Sequence, residues 1–342
     1  MPTMTKGKYD QLMAVSTPEG FIAAAAMDQR GSLKKAIAKE RGVDAAAITD
    51  AMLEEFKTAV TQVLSPHASA MLLDPQWGLP ATRARAKGCG LLLAYEESGY
   101  DNTKPGRLPD LLPTWSVRRL KDAGANCVKI LLYYTPFDTP EVNAHKHAWT
   151  ERVGAECAAY DLPFFLECVG YPVDGAEEKS LAYAKIKPEI VRCSMEEFTK
   201  PPYQVDVLKV EVPINLQYVE GAKAFANKGV AYTKRDAAEL FRQTAKVATK
   251  PFIYLSAGVS DAEFREALEL AAETGVSYNG VLCGRATWKE GIPVYAKEGA
   301  AALTRWLSDR GVTNIQALNQ TIRQGAKPWW DAYGGKAKVH VV

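Results

Sequence analysis

The sequence predicts an α/β fold, a single (β/α)8 TIM barrel, on three observations. Eight short apolar runs recur in order along the chain, and amphipathic segments of helix length separate them. No G-x-G-x-x-G turn follows the first run and no G-x-x-x-x-G-K-[ST] occurs anywhere, which disfavours an open doubly wound sheet.

The runs are FIAAAAMD (21–28), SAMLLD (69–74), GLLLAYEE (90–97), NCVKILLYY (126–134), LPFFLECVG (162–170), VDVLKVEVP (205–213), PFIYLSAG (251–258) and YNGVLCGR (278–285). Each is too short for a buried helix, and continuous apolar runs of this length suit strands covered on both faces of a parallel sheet. Between them, 51–64 places Met52, Phe56, Val60 and Val63 on one helical face. Segment 261–273 aligns Phe264, Leu268 and Ala271, with Asp261 as the expected N-cap and Gly275 as the stop. A Pro/Gly-rich loop follows the third run (97–115), a helix is expected within 143–161, and 177–202 reads as a polar insertion. After the eighth run 306–332 looks helical, and 334–342 reads as a tail or docking segment. With no internal repeat or linker, one domain is expected over 1–342, its core at 20–295 and a C-terminal helix and tail at 296–342.

The 342 residues are 47% hydrophobic and 24% charged, which is ordinary globular composition. A net charge of +2 gives no argument for nucleic acid or an anionic membrane as partner. The six cysteines are scattered without a C-x-x-C pair and read as small buried hydrophobes of a reducing compartment. No window approaches the length of a membrane span, so a cytoplasmic protein without membrane contact is expected, assembled as a homo-oligomer.

Ionisable groups inside apolar strands are expensive to bury, so each needs a reason. Lys129, Glu167 and Lys209 sit in three consecutive runs, whose strands are neighbours in a barrel. Inward side chains near the C-terminal strand ends converge on the mouth, where barrel active sites are built. Taken singly, each has a plain structural reading, such as a snorkelling lysine or a salt bridge with Asp206 or Glu211. Together they suit amine catalysis on a carbonyl. A buried lysine beside another cation becomes a neutral nucleophile and forms an imine. On this reading Lys209 is the nucleophile, Lys129 the neighbouring charge and Glu167 the proton shuttle, with no metal and no cofactor.

The seventh run ends in Ser256-Ala257-Gly258 and the eighth in Cys283-Gly284-Arg285. Small residues there let backbone N–H groups approach an anion, and Arg285 adds a charged fork, as expected of a barrel phosphate site. The first run leads into Asp28-Gln29-Arg30-Gly31-Ser32, which suits hydroxyl recognition, with a helix N-cap at Ser32 as the plainer alternative. Asp74 and Glu96 are further candidates at the mouth.

AMDQRGSLKKAI, MLLDPQWGLPA, LLLAYEESGY, VKILLYY, FFLECVGY, DVLKVEVPIN, IYLSAG and GVLCGRATW together resemble the tagatose 1,6-bisphosphate aldolase family over residues 15–295. These are class I barrel aldolases. The resemblance implies Lys209 as the Schiff-base lysine, Glu167 as acid/base with Lys129 beside it, and Asp28 and Gln29 as substrate contacts. It further implies Ser256, Gly284 and Arg285 as the holders of the C1 phosphate. The implied reaction is reversible cleavage of a ketohexose 1,6-bisphosphate to dihydroxyacetone phosphate and glyceraldehyde 3-phosphate. Relatives act on other ketose 1-phosphates, including sulfofructose 1-phosphate, so the distal anion site matters; Arg30, Lys104 and Arg107 are its candidates. Two rivals remain. A metal-dependent aldolase or isomerase is disfavoured because His67, His145, His147 and His340 make no ligand set. A regulatory barrel that binds a sugar phosphate would have no use for a Schiff-base lysine.

Overall fold

The structure is a computed structural model that describes residues 3–98 and 105–342. Each apolar run contains a strand: β1 (Ile22–Ala26), β2 (Ala70–Leu73), β3 (Gly90–Ala94), β4 (Cys127–Tyr133), β5 (Phe164–Val169), β6 (Val207–Glu211), β7 (Phe252–Leu255) and β8 (Gly280–Cys283). The strands pair in parallel in chain order, and β8 closes against β1. The runs are continuously apolar because both faces are covered. Val128, Ile130 and Leu132 belong to the outer core shared with the helices, whereas Cys127, Phe165 and Val207 belong to the barrel interior with Ala24, Leu72 and Ile253. Side chains alternate along a strand. The interior set begun by Cys127, Phe165 and Val207 therefore continues, two residues on, with Lys129, Glu167 and Lys209. Register sets Glu167 directly beside Lys209.

The helices that follow the strands are α1 (Asp50–Leu64), α2 (Leu79–Ala84), α3 (Val117–Asp122), α4 (Pro140–Ala159), α5 (Leu181–Phe198), α6 (Lys234–Lys246), α7 (Asp261–Glu273) and α8 (Val312–Gly325). An additional helix, Gly31–Arg41, precedes α1. Several sequence expectations shift. The segment 177–202, which read as a polar insertion, holds α5; its polar look comes from a solvent face where Arg192 pairs with Glu189 and Glu196, both at 2.8 Å. Its other face buries Tyr183, Ile190, Val191, Met195 and Phe198. Helix α7 is capped by Ser260, whose Oγ accepts from the Glu263 N–H, so Asp261 is its first residue rather than its cap. Ser32 caps nothing, because helix Gly31–Arg41 starts ahead of it. Helix α1 buries Leu53, Phe56, Lys57, Val60 and Leu64, with Met52 and Val63 packed partly buried at the margin of that face, which also contains a lysine.

The N-terminal ends of the strands are closed by helix Lys6–Ala14 and the C-terminal segment. Leu12, Val15 and Trp329 are fully buried in the interior cluster. Lys8 reaches Asp206 at 2.8 Å, and Thr3–Met4 pairs in parallel with His340–Val341. The segment 334–342 thus docks rather than trails. The six cysteines are free thiols, five of them buried. Among the described residues no helix is long and apolar enough to cross a membrane.

Candidate active site

The three charged strand residues meet. Lys209 Nζ and Lys129 Nζ each lie 2.8 Å from the same oxygen, Oε2 of Glu167. Lys129 also donates to Asp28 Oδ2 at 2.8 Å and to Glu96 Oε1 at 2.9 Å. Its three ammonium protons therefore have three carboxylate partners. Arg30 also holds Glu96, donating to its backbone oxygen at 2.8 Å and to the same Oε1 at 3.3 Å.

Burial and pairing compete at each of these groups. At Lys129 burial disfavours the charge, but Asp28, Glu167 and Glu96 outweigh it and raise the ammonium well above its ordinary range. Its ammonium is thus held in its charged form by three carboxylates. Burial raises Glu167 as well, yet Lys129 and Lys209 prevail and hold its carboxyl below 4.5, so it rests ionised. Asp28 is lowered by the same two ammonium groups against the same burial. Glu96 differs: burial dominates, and the nearby Lys129 and Arg30 fail to cancel the upward push. Neither Asp206 nor Glu211 partners Lys209. Asp206 pairs with Lys8 and accepts the Phe164 N–H at 2.8 Å, while Glu211 pairs with Lys187 at 3.1 Å and accepts the Gly170 N–H at 2.8 Å.

A cavity of about 430 Å³ opens at the C-terminal ends of β4 to β8, and Glu167, Glu211, Ser256, Gly258 and Arg285 line it. Ala257 and Gly258 both adopt positive φ, +46° and +78°, which bends the chain sharply after β7. The Arg285 guanidinium lies 3.0–3.2 Å from where a Gly258 Cβ would stand, so a glycine at this positive φ lets it pack closest against the turn. Lys289 braces the turn by donating to the Gly258 and Val259 oxygens at 3.1 and 3.2 Å. Gly284 is pressed against β1: an added Cβ would stand 2.8 Å from the Ala26 oxygen and 3.2 Å from Gln29 Nε2. Gln29 thereby faces Gly284, and its Oε1 is buried without a hydrogen-bond partner among the described residues.

The sequence-derived residues thus form two groups, which reach the cavity through Glu167 on one side and through Ser256 and Arg285 on the other. Lys209, Glu167, Lys129 and Asp28 make the charged group; Ser256, Gly284, Arg285 and Gln29 make the other. The distal candidates fare less well. Arg30 is buried against Glu96, and Arg107 stands between the Tyr133 and Tyr171 rings while paired with Glu178 at 2.6 Å. Lys104 lies outside the described residues. Lys179 and Lys187 line the cavity instead, and α5 carries one while leading from the other. Asp74 is fully buried against Lys57, away from any solvent, rather than at the mouth. Among the described residues no His, Cys, Asp and Glu cluster is arranged to hold a metal ion.

A family model described as DeoC/LacD family aldolase matches residues 22–290. The chain is 49% identical over its full length to the tagatose 1,6-diphosphate aldolase of Listeria monocytogenes (serotype 4a), covering 99% of that protein. It is 52% identical to tagatose 1,6-diphosphate aldolase 2 of Enterococcus faecalis, over 96% of this chain and 97% of the relative. The solved fructose-bisphosphate aldolase of Plasmodium falciparum shares the fold, with a TM-score of 0.66 at 15% identity over 95% of this chain and 98% of that one. The family match and the full-length relatives agree with the barrel and its cavity: the protein is an aldolase, a carbon–carbon lyase, and belongs to the DeoC/LacD family.

Proposed function

We propose that this aldolase reversibly cleaves a ketohexose 1,6-bisphosphate, with tagatose 1,6-bisphosphate as the leading candidate, through a Schiff base on Lys209. The observation that carries the reading is the single Glu167 oxygen shared at 2.8 Å by Lys209 and the fixed cation Lys129, in a cavity that Arg285 also lines. The names of the full-length relatives support the substrate.

Glu167 rests ionised and touches Lys209, so it takes the ammonium proton and frees the amine to attack the C2 carbonyl. The same acid then protonates the carbinolamine hydroxyl, which leaves as water, and an iminium remains. A base removes the proton of the C4 hydroxyl, the C3–C4 bond breaks, and its electron pair enters the iminium to form an enamine. Glyceraldehyde 3-phosphate departs. Protonation of the enamine at C3 and addition of water to the resulting iminium release dihydroxyacetone phosphate and restore Lys209. Lys129 stays protonated throughout and keeps Asp28 and Glu167 in place. Ser256, Gly284 and Arg285 receive the C1 phosphate, and Lys179 and Lys187 the far one.

Borohydride reduction with dihydroxyacetone phosphate, followed by peptide mapping, tests the mechanism. An adduct on Lys209 is expected, together with its loss and the loss of cleavage in Lys209→Ala; an unmodified Lys209 peptide in an active enzyme would sink it. Cleavage rates on a panel of ketose 1-phosphates with and without a second phosphate or sulfonate decide the substrate.

A further inference from the structure

Lys57 has no part in the steps above, yet its surroundings tie it to them. It lies on the buried face of α1, and its side chain is wholly inaccessible to solvent. Its three donors are all used: Met27 O at 2.8 Å, Gln29 O at 2.7 Å and Asp74 Oδ2 at 2.5 Å. Strand β1 ends at Ala26 and the next helix takes its first carbonyl from Arg30, so the Met27, Asp28 and Gln29 carbonyls fall outside both ladders. Lys57 satisfies two of them. One belongs to the peptide that enters Asp28, the other to the peptide that leaves Gln29, and one ammonium holds both. Asp74 is locked in turn, accepting the Gln76 and Trp77 N–H groups at 3.1 and 2.8 Å through its other oxygen. A lysine that only balanced Asp74 would have no need to span Asp28–Gln29.

We propose that Lys57 is a positioning residue for the aldol site: it clamps the Met27–Gln29 backbone so that Asp28 meets Lys129 and Gln29 faces Gly284. The role of Asp28 and Gln29 in turnover rests on the reading of the previous subsection; the clamp itself does not. A displacement on the order of 1 Å at a reacting centre lowers rates by roughly 100-fold, so a residue remote from the substrate can act this way.

The test is the double variant Lys57→Met, Asp74→Asn, which removes both buried charges together and avoids an unpaired one. It is expected to fold by circular dichroism, to form the borohydride adduct on Lys209, and to lose kcat by roughly 10- to 100-fold. Its effect and that of Asp28→Asn should combine to less than their product, because both act through one carboxylate. A folded variant with kcat within about threefold of wild type would overturn the proposal. Should the double variant not fold, Lys57→Arg keeps the cation but replaces the compact ammonium with a planar fork, and the same kcat criterion applies. Crystal structures separate this inference from the proposed reaction. Asp28 Oδ2 still within about 3 Å of Lys129 Nζ in the folded variant overturns the clamp whatever the activity. Absence of adduct and cleavage in the wild type, with Asp28 displaced in the variant, overturns the reaction and leaves the clamp standing.

Discussion

An ammonium group has three protons to donate, and at Lys129 each meets a different carboxylate. Three cations (Arg30, Lys129, Lys209) and three anions (Asp28, Glu96, Glu167) interlock through shared atoms, and the Lys57–Asp74 pair joins them only through the Met27 and Gln29 carbonyls, so the charges hold one another in place. Glu167 makes the consequence measurable. Its folded-state pKa lies below the ordinary 4.5, because two ammonium groups overcome its burial. Its contribution to stability is therefore complete above the unfolded value and disappears as pH falls through the depressed one. The melting-temperature gap between wild type and Glu167→Gln is expected to be largest near neutrality and to shrink as pH drops below 4.5. A gap independent of pH would count against an ionised Glu167. Lys209, Glu167 and Lys129 were legible in the sequence because a charge in an apolar strand stands out. Lys57 was not, because lysine is ordinarily read as the polar face of a helix. The signal was present: it shares a stripe with Leu53, Val60 and Leu64 at helical spacing.

At the scale of elements, the loops after β3, β4 and β5 are tied above the barrel by one network. Arg107 sits 4.8 and 4.7 Å from the Tyr133 and Tyr171 ring centres and pairs with Glu178. The Tyr171 hydroxyl donates to Asp138 and accepts from Lys146 of α4 at 2.6 Å. Burial lowers Lys146 from 10.5 to about 8, against the pull of Asp138. Between those values the unfolded chain binds more protons than the folded one, so this residue makes stability rise with pH across that window. Wild type is accordingly expected to gain melting temperature relative to Lys146→Met between about pH 8 and 10; a constant difference would show that Lys146 keeps its proton. The strands were legible one by one because each is apolar on both faces. Helix α5 was not, since its ion-paired solvent face dominates the local composition, and its buried residues only acquire meaning once β5 and β6 are placed beneath it.

For the whole molecule, chemistry and closure occupy opposite ends of the barrel. The cavity lies at the C-terminal strand ends, while helix Lys6–Ala14 and the Trp329–Tyr333 turn seal the other. Trp329 is fully buried, and its backbone N–H donates to the Gly20 oxygen at 2.8 Å, just ahead of β1. Trp329→Ala is expected to destabilise by about 3–5 kcal/mol while kcat per folded molecule stays near wild type. Denaturant unfolding and active-site titration through the Lys209 adduct would check it; a selective loss of kcat at full folding would show that the two ends communicate.

The strand pair between Thr3–Met4 and His340–Val341 has a topological meaning. Those two segments lie side by side, so the described chain is nearly a ring whose seam is held by backbone hydrogen bonds. A short linker across that seam, with new ends cut at the exposed turn around Gly42–Val43, would give a circularly permuted barrel with every strand neighbour preserved. The order in which the strands leave the ribosome could then be rotated without moving an atom of the cavity.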